Sequence, residues 1–435
     1  MAAHRGEKNI NTSRATFARY ATIPNFNTIA NMNIAILGFG IEGKSSYKFL
    51  KKKYPKGNIE IRDKNLSSNY LDDLERFDLL VRSPGVKYLL PEIQNAKRNS
   101  VEISSSTKLF FAYAPGMIIG ITGTKGKGTT ASMLYAILKA AGKDVYLVGN
   151  IGKPMLDVIP RLTNRSLAIL ELSSFQLQDL ERSPEIAVVL EIAPDHLDYH
   201  KDMREYVEAK SHIAAFQTPK NHIFYVSRNP WSKKISQKSS GRKVPIDFKK
   251  PFFIQASDVK IPGGYNVNNA VVAASVAVHL GIRPQIITKA IRNFKGLPHH
   301  LELVREIGGV RYFNDSASTN PISTKAALMA ISDPKILIAG GVDKNFHYGI
   351  LKPALKNSTK LVILYGSSRS KIAEEIRGVV PIILAKDLLA AVTKAKKRAR
   401  RGEVILFSPA SASFDMFKDS KDRGRQFSRL IKSLS

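Results

Sequence analysis

The chain has no cysteine, so disulfide cross-links and thiolate chemistry are excluded, and a reducing compartment is permitted. It also has no apolar run long enough to cross a bilayer, so a soluble chain without a membrane span is expected. Acidic residues are scarce, 36 against 67 lysines and arginines, which leaves a formal charge of +31 and raises nucleic acid as a partner. The basic residues are nevertheless spread along the whole chain. Their densest cluster, 394–401, follows Leu388, Leu389, Ala391 and Val392 as the solvated end of an amphipathic helix does. No aromatic residues interleave with it as a base-stacking platform requires, so no nucleic-acid partner is expected. The charge reads as that of a basic protein whose field attracts anionic substrates. Residues 1–31 are polar and hold a single acid, Glu7. They read as a flexible extension or as an organellar transit peptide; the extension is preferred because Met32 stands directly before the first strand.

With 435 residues, 43% of them hydrophobic, the chain can bury two or three cores. The most informative stretch is the apolar run 117–121, a buried strand, followed by Thr122-Gly123-Thr124-Lys125-Gly126-Lys127-Gly128-Thr129-Thr130 and a helix over 131–141 ended by Gly142. A glycine-rich strand-to-helix turn exposes backbone N–H groups at a helix N-terminus, where phosphate oxygens bind. Lys127 can reach the outer phosphates, and Thr129 offers a hydroxyl to Mg²⁺, with Thr130 the competing hydroxyl. Glu171 ends an apolar strand beginning at Leu167 and interrupts a buried pattern, as an acid that holds Mg²⁺ beside phosphates does. His196 lies in a loop between Asp195 and Asp198 after the strand 187–192, an arrangement suited to ligand or phosphate contact.

Ahead of the phosphate loop, Gly38-Phe39-Gly40-Ile41-Glu42-Gly43 is a G-x-G-x-x-G turn between a strand and a helix, and a second strand ends in Asp63. The pattern suits a nucleotide diphosphate on a Rossmann-like sheet, provided Glu42 points away from it. A third strand leads to Ser83 at its C-terminal end, where such sheets bind ligands. Strands and helices alternate again after residue 298. The expected architecture is therefore α/β with an extension over 1–31, a Rossmann-like domain over 32–113, a central parallel-sheet ATPase-type domain over 114–297 and a second Rossmann-like domain over 298–435.

The loop's G-T-x-G-K order resembles that of Mur ligases and folylpolyglutamate synthases, and Lys127-Gly128-Thr129 is similar to the folate enzymes' Lys-Gly-Ser. Further motifs resemble the Mur ligases, and among them the D-glutamate-adding branch. They are Glu171-Leu172-Ser173-Ser174-Phe175-Gln176-Leu177, Gly149-Asn150-Ile151-Gly152, Asp195-His196-Leu197-Asp198 and Tyr206-Val207-Glu208-Ala209-Lys210. Later come Gly263-Gly264-Tyr265-Asn266-Val267-Asn268-Asn269, Gly296-Leu297-Pro298-His299-His300-Leu301-Glu302, Asn314-Asp315-Ser316-Ala317-Ser318-Thr319-Asn320 and a serine-rich run through Ser413. Three positions depart from the family: Tyr265 replaces histidine, His300 an arginine that contacts ATP, and Ala317 a lysine.

The resemblance implies an ATP-dependent amide ligase that adds D-glutamate to UDP-N-acetylmuramoyl-L-alanine in peptidoglycan precursor synthesis. It implies a cytoplasmic monomer, ATP as co-substrate and two Mg²⁺ ions. ATP would be held by Gly123, Thr124, Lys125, Gly126, Lys127, Gly128, Thr129, Thr130, Asn266, Asn269 and Asp315. The UDP-substrate would lie against Gly38, Gly40, Ile41, Gly43, Asp63, Ser83, Asn150 and Ser173, and the amino acid against Thr319, Lys344 and Ser413. Lys127, His196 and Lys210 would be catalytic; Thr129, Glu171, His196 and a carbamylated Lys210 would serve the metals. Two rivals remain: a folylpolyglutamate synthase, which has no need of the Rossmann-like domain ahead of the phosphate loop, and a non-catalytic basic nucleic-acid-binding protein, which would not explain Lys127, Glu171, His196 and Lys210 together.

Overall fold

The first sheet is built from short apolar strands in the order Asn58–Arg62, Asn33–Leu37, Leu79–Arg82, Glu102–Ser105, all parallel. Its middle strands are buried over most of their length, which is why they read as continuous apolar runs and not as alternating ones. This is a computed structural model that describes residues 32–434 except 198 and 251. The expected extension over 1–31 and the acid Asp198 lie outside the described residues.

The central sheet is also parallel, with six strands in the order Arg242–Ile246, His222–Val226, Ile186–Val189, Met117–Thr122, Leu167–Glu171, Val145–Gly149. The strand expected over 187–192 is the shorter Ile186–Val189. The strand Met117–Thr122 delivers the phosphate loop at its C-terminal end, beside the end of Leu167–Glu171. The helix after the loop is Lys127–Ala140, so it begins four residues before the expected start at Ala131. Gly128, Thr129 and Thr130 have weak helix propensity, and packing of this helix on the helix Tyr265–His279 overrides it.

A third sheet follows in the order Glu302–Ile307, Val310–Asn314, Val404–Phe407, Lys335–Gly340, Thr359–Tyr365, Ile382–Leu384. Only the edge pair at Glu302–Ile307 is antiparallel. The helix anticipated before the basic cluster is Leu388–Lys396; it buries Leu388, Ala391 and Val392 but leaves Leu389 in solvent. The α/β architecture is thus as expected, with three sheets among the described residues.

The sheets do not have separate cores throughout. Ile34, Val81, Leu109 and Phe110 of the first unit share one apolar cluster with Val148, Met155, Leu170 and Leu177 of the second. The third unit has clusters of its own. Polar contacts reinforce the first junction. Arg82, at the end of its strand, is buried and donates to Asp179 Oδ1 at 2.8 Å, Phe175 O at 3.0 Å and Val86 O at 2.8 Å. Removing one partner of a buried pair strands the other charge. Arg82→Ala is therefore expected to lower stability by about 3–5 kcal/mol in denaturant unfolding. Replacing both Arg82 and Asp179 by leucine should recover most of that loss; a double mutant as unstable as Arg82→Ala would show that the desolvated charge is not the cause.

Candidate active site

Gly126 begins the loop helix in the left-handed region, at φ +81°, and a Cβ there would sit 2.4 Å from Asn269 Oδ1. Only glycine permits this approach, which brings the loop against Asn269 and, through Asn269 Nδ2 to Asn266 Oδ1 at 3.1 Å, against Asn266. Thr130 is fully buried and donates its hydroxyl to Asn269 Oδ1 at 3.3 Å. Thr129 faces the open side. Lys127 Nζ turns back over its own loop, donating to Gly123 O at 3.1 Å and Thr124 O at 3.0 Å. Burial pulls its pKa down, while Glu171 and Asp195 pull it up.

A cavity of about 1010 Å³ opens in front of this loop. Residues 124–129, Asn150, Glu171, Asn266 and Asn269 line one side, and His300, Asp315, Thr319, Lys421 and Arg425 of the third unit line the other. Glu171 is buried; Oε1 accepts from Asn150 Nδ2 at 3.3 Å, and Oε2 has no hydrogen-bond partner. An orphaned carboxylate oxygen beside a phosphate loop fits a hard cation such as Mg²⁺. Among the described residues no three acids or histidines cluster as a ready-made metal cage.

Lys210 is buried behind the loop, where Nζ donates to Thr122 Oγ1 at 3.3 Å and Gly123 O at 3.0 Å. Burial first, and Lys127 second, hold its pKa well below the ordinary lysine value. Among the described residues no carboxylate lies within ion-pairing distance of it. His196 is about half exposed, in the left-handed region at φ 54°, with its ring edge-on to Phe175 and Nε2 3.6 Å from Asp195 Oδ2. Neither Lys210 nor His196 belongs to the lining of the main cavity. The histidine that the fold buries is His200, held by Glu205 Oε1 at 3.1 Å and Ser174 Oγ at 2.9 Å. Its place next to Tyr199 gave no sign of this in the sequence.

In the first unit the glycine turn is braced from both sides. Phe39 N donates to Asp63 Oδ2 at 2.5 Å, and Ser83 Oγ donates to Gly38 O at 2.7 Å. The Phe39 backbone N–H holds the Asp63 carboxyl below its usual pKa. Ile41 is exposed. Glu42 turns away from the turn's mouth, accepting from Ser106 Oγ and from Gln176 Nε2 at 3.1 Å, so it ties the two units together; burial raises its pKa. Ser173 caps the helix Ser174–Leu177. Gly38, Gly40, Ile41, Gly43, Asp63, Ser83 and Ser173 are not part of the main cavity's lining, whereas Asn150 is.

In the third unit, Asp315 is buried at the cavity wall and accepts from Ser318 Oγ at 2.5 Å, Ser408 Oγ at 2.7 Å and Leu301 N at 3.1 Å. Burial outweighs these bonds and pushes its pKa up to about 6. Thr319 lines the cavity, but Lys344 and Ser413 do not. Lys344 is exposed, with Nζ 5.5 Å from the Phe414 ring centre, and Ser413 is buried in the adjoining loop. Backbone pairing of Val342 with Ala412 holds those two loops together. Lys421 and Arg425, which line the cavity, were not among the expected site residues.

A phosphate loop facing a cavity shared with a third α/β unit defines the class, a nucleotide-handling protein of several α/β units. Family models for the Mur ligase middle domain and for the Mur ligase, glutamate ligase domain match residues 121–251 and 299–411. The UDP-N-acetylmuramoylalanine–D-glutamate ligase of Acetivibrio thermocellus is 35% identical over 93% of this chain and 97% of its own. That of Clostridium tetani is 33% identical, over 93% and 98%. The chain belongs to the Mur ligase family. In fold it is similar to the UDP-N-acetylmuramate-alanine ligase of Thermotoga maritima, with a TM-score of 0.60, 17% identity, and 92% and 99% of the two chains covered. It is also similar to a Mycobacterium tuberculosis folylpolyglutamate synthase, with a TM-score of 0.58 and 14% identity, but there only 76% of this chain is covered.

Proposed function

We propose that this chain is an ATP-dependent ligase that joins D-glutamate to UDP-N-acetylmuramoyl-L-alanine in peptidoglycan precursor synthesis. The observation that carries the reading is near-full-length identity of 30–35% to D-glutamate-adding ligases, in a chain whose phosphate loop opens on one large cavity. Among the described residues no helix is long and apolar enough to cross a membrane. The L-alanyl carboxylate oxygen attacks the γ-phosphorus, and the bond to ADP breaks. The amine of D-glutamate then attacks the acyl phosphate carbonyl, loses a proton, and phosphate leaves.

Two anions must meet in this reaction, so neutralising charge and fixing geometry are the main demands on the protein. Lys127 exchanges its loop carbonyls for phosphate oxygens, and the loop's backbone N–H groups bind the rest. Glu171 Oε2 and the Thr129 hydroxyl would hold Mg²⁺, which would supply Lewis-acid neutralisation of the phosphates. His196 and a carbamate on Lys210 would hold a second ion. Asn266 and Asn269 lie at the nucleotide end. The braced turn at Gly38, Gly40, Ile41 and Gly43, with Asp63 and Ser83, meets the UDP moiety; Asn150 and Ser173 face the rest of that substrate. Lys344, Thr319 and Ser413 take the amino acid.

Phosphate release with ATP and UDP-N-acetylmuramoyl-L-alanine, screened across D- and L-amino acids, tests the reading; a preference for any amino acid other than D-glutamate would refute the substrate assignment. The two loop threonines make a sharper local test. Thr130 already donates to Asn269, whereas Thr129 lines the cavity. Thr129→Ala is therefore expected to raise the Mg²⁺ concentration needed for half-maximal rate by roughly tenfold, and Thr130→Ala much less. The reverse ranking in a Mg²⁺ titration would move the metal to Thr130.

A further inference from the structure

The main cavity must accept a nucleotide polyphosphate, yet three carboxylates, Glu171, Glu191 and Asp315, already line it. Lys125 and Lys127 bring positive charge from the loop side, and cations on the opposite wall can add to it. On that wall Ala317 is uncharged, and burial lowers the pKa of His299, which disfavours its charged form. Two permanent cations remain among the third-unit lining residues, Lys421 and Arg425, both on the helix Ser420–Lys432.

That helix is held rigidly enough to aim a side chain. Arg423, fully buried, donates to Ser316 Oγ at 3.0 Å, Ser316 O at 2.9 Å, Ser411 O at 3.0 Å and Ala412 O at 3.1 Å. Gly424 accepts from Asn314 Nδ2 at 2.8 Å, and a Cβ on it would lie 2.5 Å from the His299 ring. One residue further on, Arg425 is about half exposed, and its ion pair is a loose one to Asp422 at 3.4 Å. Exposed pairs of that kind are worth little, so a phosphate can displace it. A guanidinium presents a planar fork of donors suited to phosphate oxygens, which a solvated lysine or a neutral imidazole does not match.

We propose that Arg425, aided by Lys421, binds the terminal phosphate of the nucleotide and so supplies, from the helix Ser420–Lys432, a permanent positive charge on the wall opposite the phosphate loop. The inference rests on the ligase reading only in taking ATP as the nucleotide, and its test does not require ligation. Equilibrium binding to the full chain, with Mg²⁺, is measured for ADP and for a non-hydrolysable ATP analogue. Arg425→Gln is expected to weaken the analogue about tenfold or more while changing ADP by less than about twofold, as loss of a charge-assisted contact confined to the γ-phosphate does. Arg425→Lys should retain part of the preference, and His300→Arg in the Arg425→Gln background should restore it. Melting temperatures report whether each variant folds; the lysine variant keeps the test decisive if the glutamine variant does not. Equal weakening of both ligands, no weakening of either, or a wild-type chain that binds neither nucleotide would overturn the inference. A chain that keeps this discrimination but does not ligate D-glutamate would refute the substrate assignment alone.

Discussion

Replacing Lys210 with alanine is expected to reduce ligation by about a thousandfold, the scale of losing a preorganised electrostatic group, with partial recovery when acetate or propionate is added. Lys210 is a buried amine with two neutral oxygen acceptors, 3.3 and 3.0 Å away. Burial and the neighbouring Lys127 depress its pKa, which favours the neutral amine, the form that reacts with carbon dioxide. Carbamylation would turn repulsion from Lys127 into attraction and present oxygen ligands to a cation. Small carboxylates imitate those oxygens. Incorporation of isotope-labelled bicarbonate, followed by carbon NMR, should give a carbamate signal in the wild type that is missing in the variant. An alanine variant with full activity and no additive would remove Lys210 from the mechanism.

Lys344→Ala is expected to cost on the order of a hundredfold in kcat/KM for D-glutamate, through KM more than kcat. A dicarboxylate brings two negative charges towards a site that also takes ATP, so a cation near its docking point contributes both attraction and selectivity. Lys344 stands on the loop after the strand Lys335–Gly340, clear of the main cavity and over Phe414, with no ion pair among the described residues. Ala317 leaves that loop as the matched source of charge. Comparing D-glutamate with neutral amino acids in wild type and variant decides the matter. If Lys344→Ala leaves D-glutamate kinetics unchanged, the amino acid docks elsewhere.

How much of this was legible beforehand depends on whether the relevant contacts are local. The phosphate loop, the strand leading into it and the acid at Glu171 are encoded within short stretches whose periodicity and glycine placement have one structural reading. The helix start was misjudged because Gly128 and Thr129 are weak helix formers, and only the distant helix Tyr265–His279 compensates for them. Thr130 and Asn269 are 139 positions apart, so nothing in the sequence assigned the Thr130 hydroxyl away from the open side. Glu42 looked like an obstacle to phosphate until Ser106 and Gln176 were found to hold it. Arg425 stands on the helix Ser420–Lys432, far in sequence from the phosphate loop, and only the cavity distinguishes it.

The apolar cluster shared by the first two sheets also bears on how the chain comes apart. A break near residue 114 would cut through a single core and expose Leu109 and Phe110 on one fragment and Met155 and Leu177 on the other. A break at 295–298 would pass between clusters that are already separate. Fragments split at the second point are the ones suited to independent expression and reassembly. The same asymmetry makes the third unit the part that can swing as one piece, carrying Asp315, Thr319 and Arg425 towards or away from the phosphate loop.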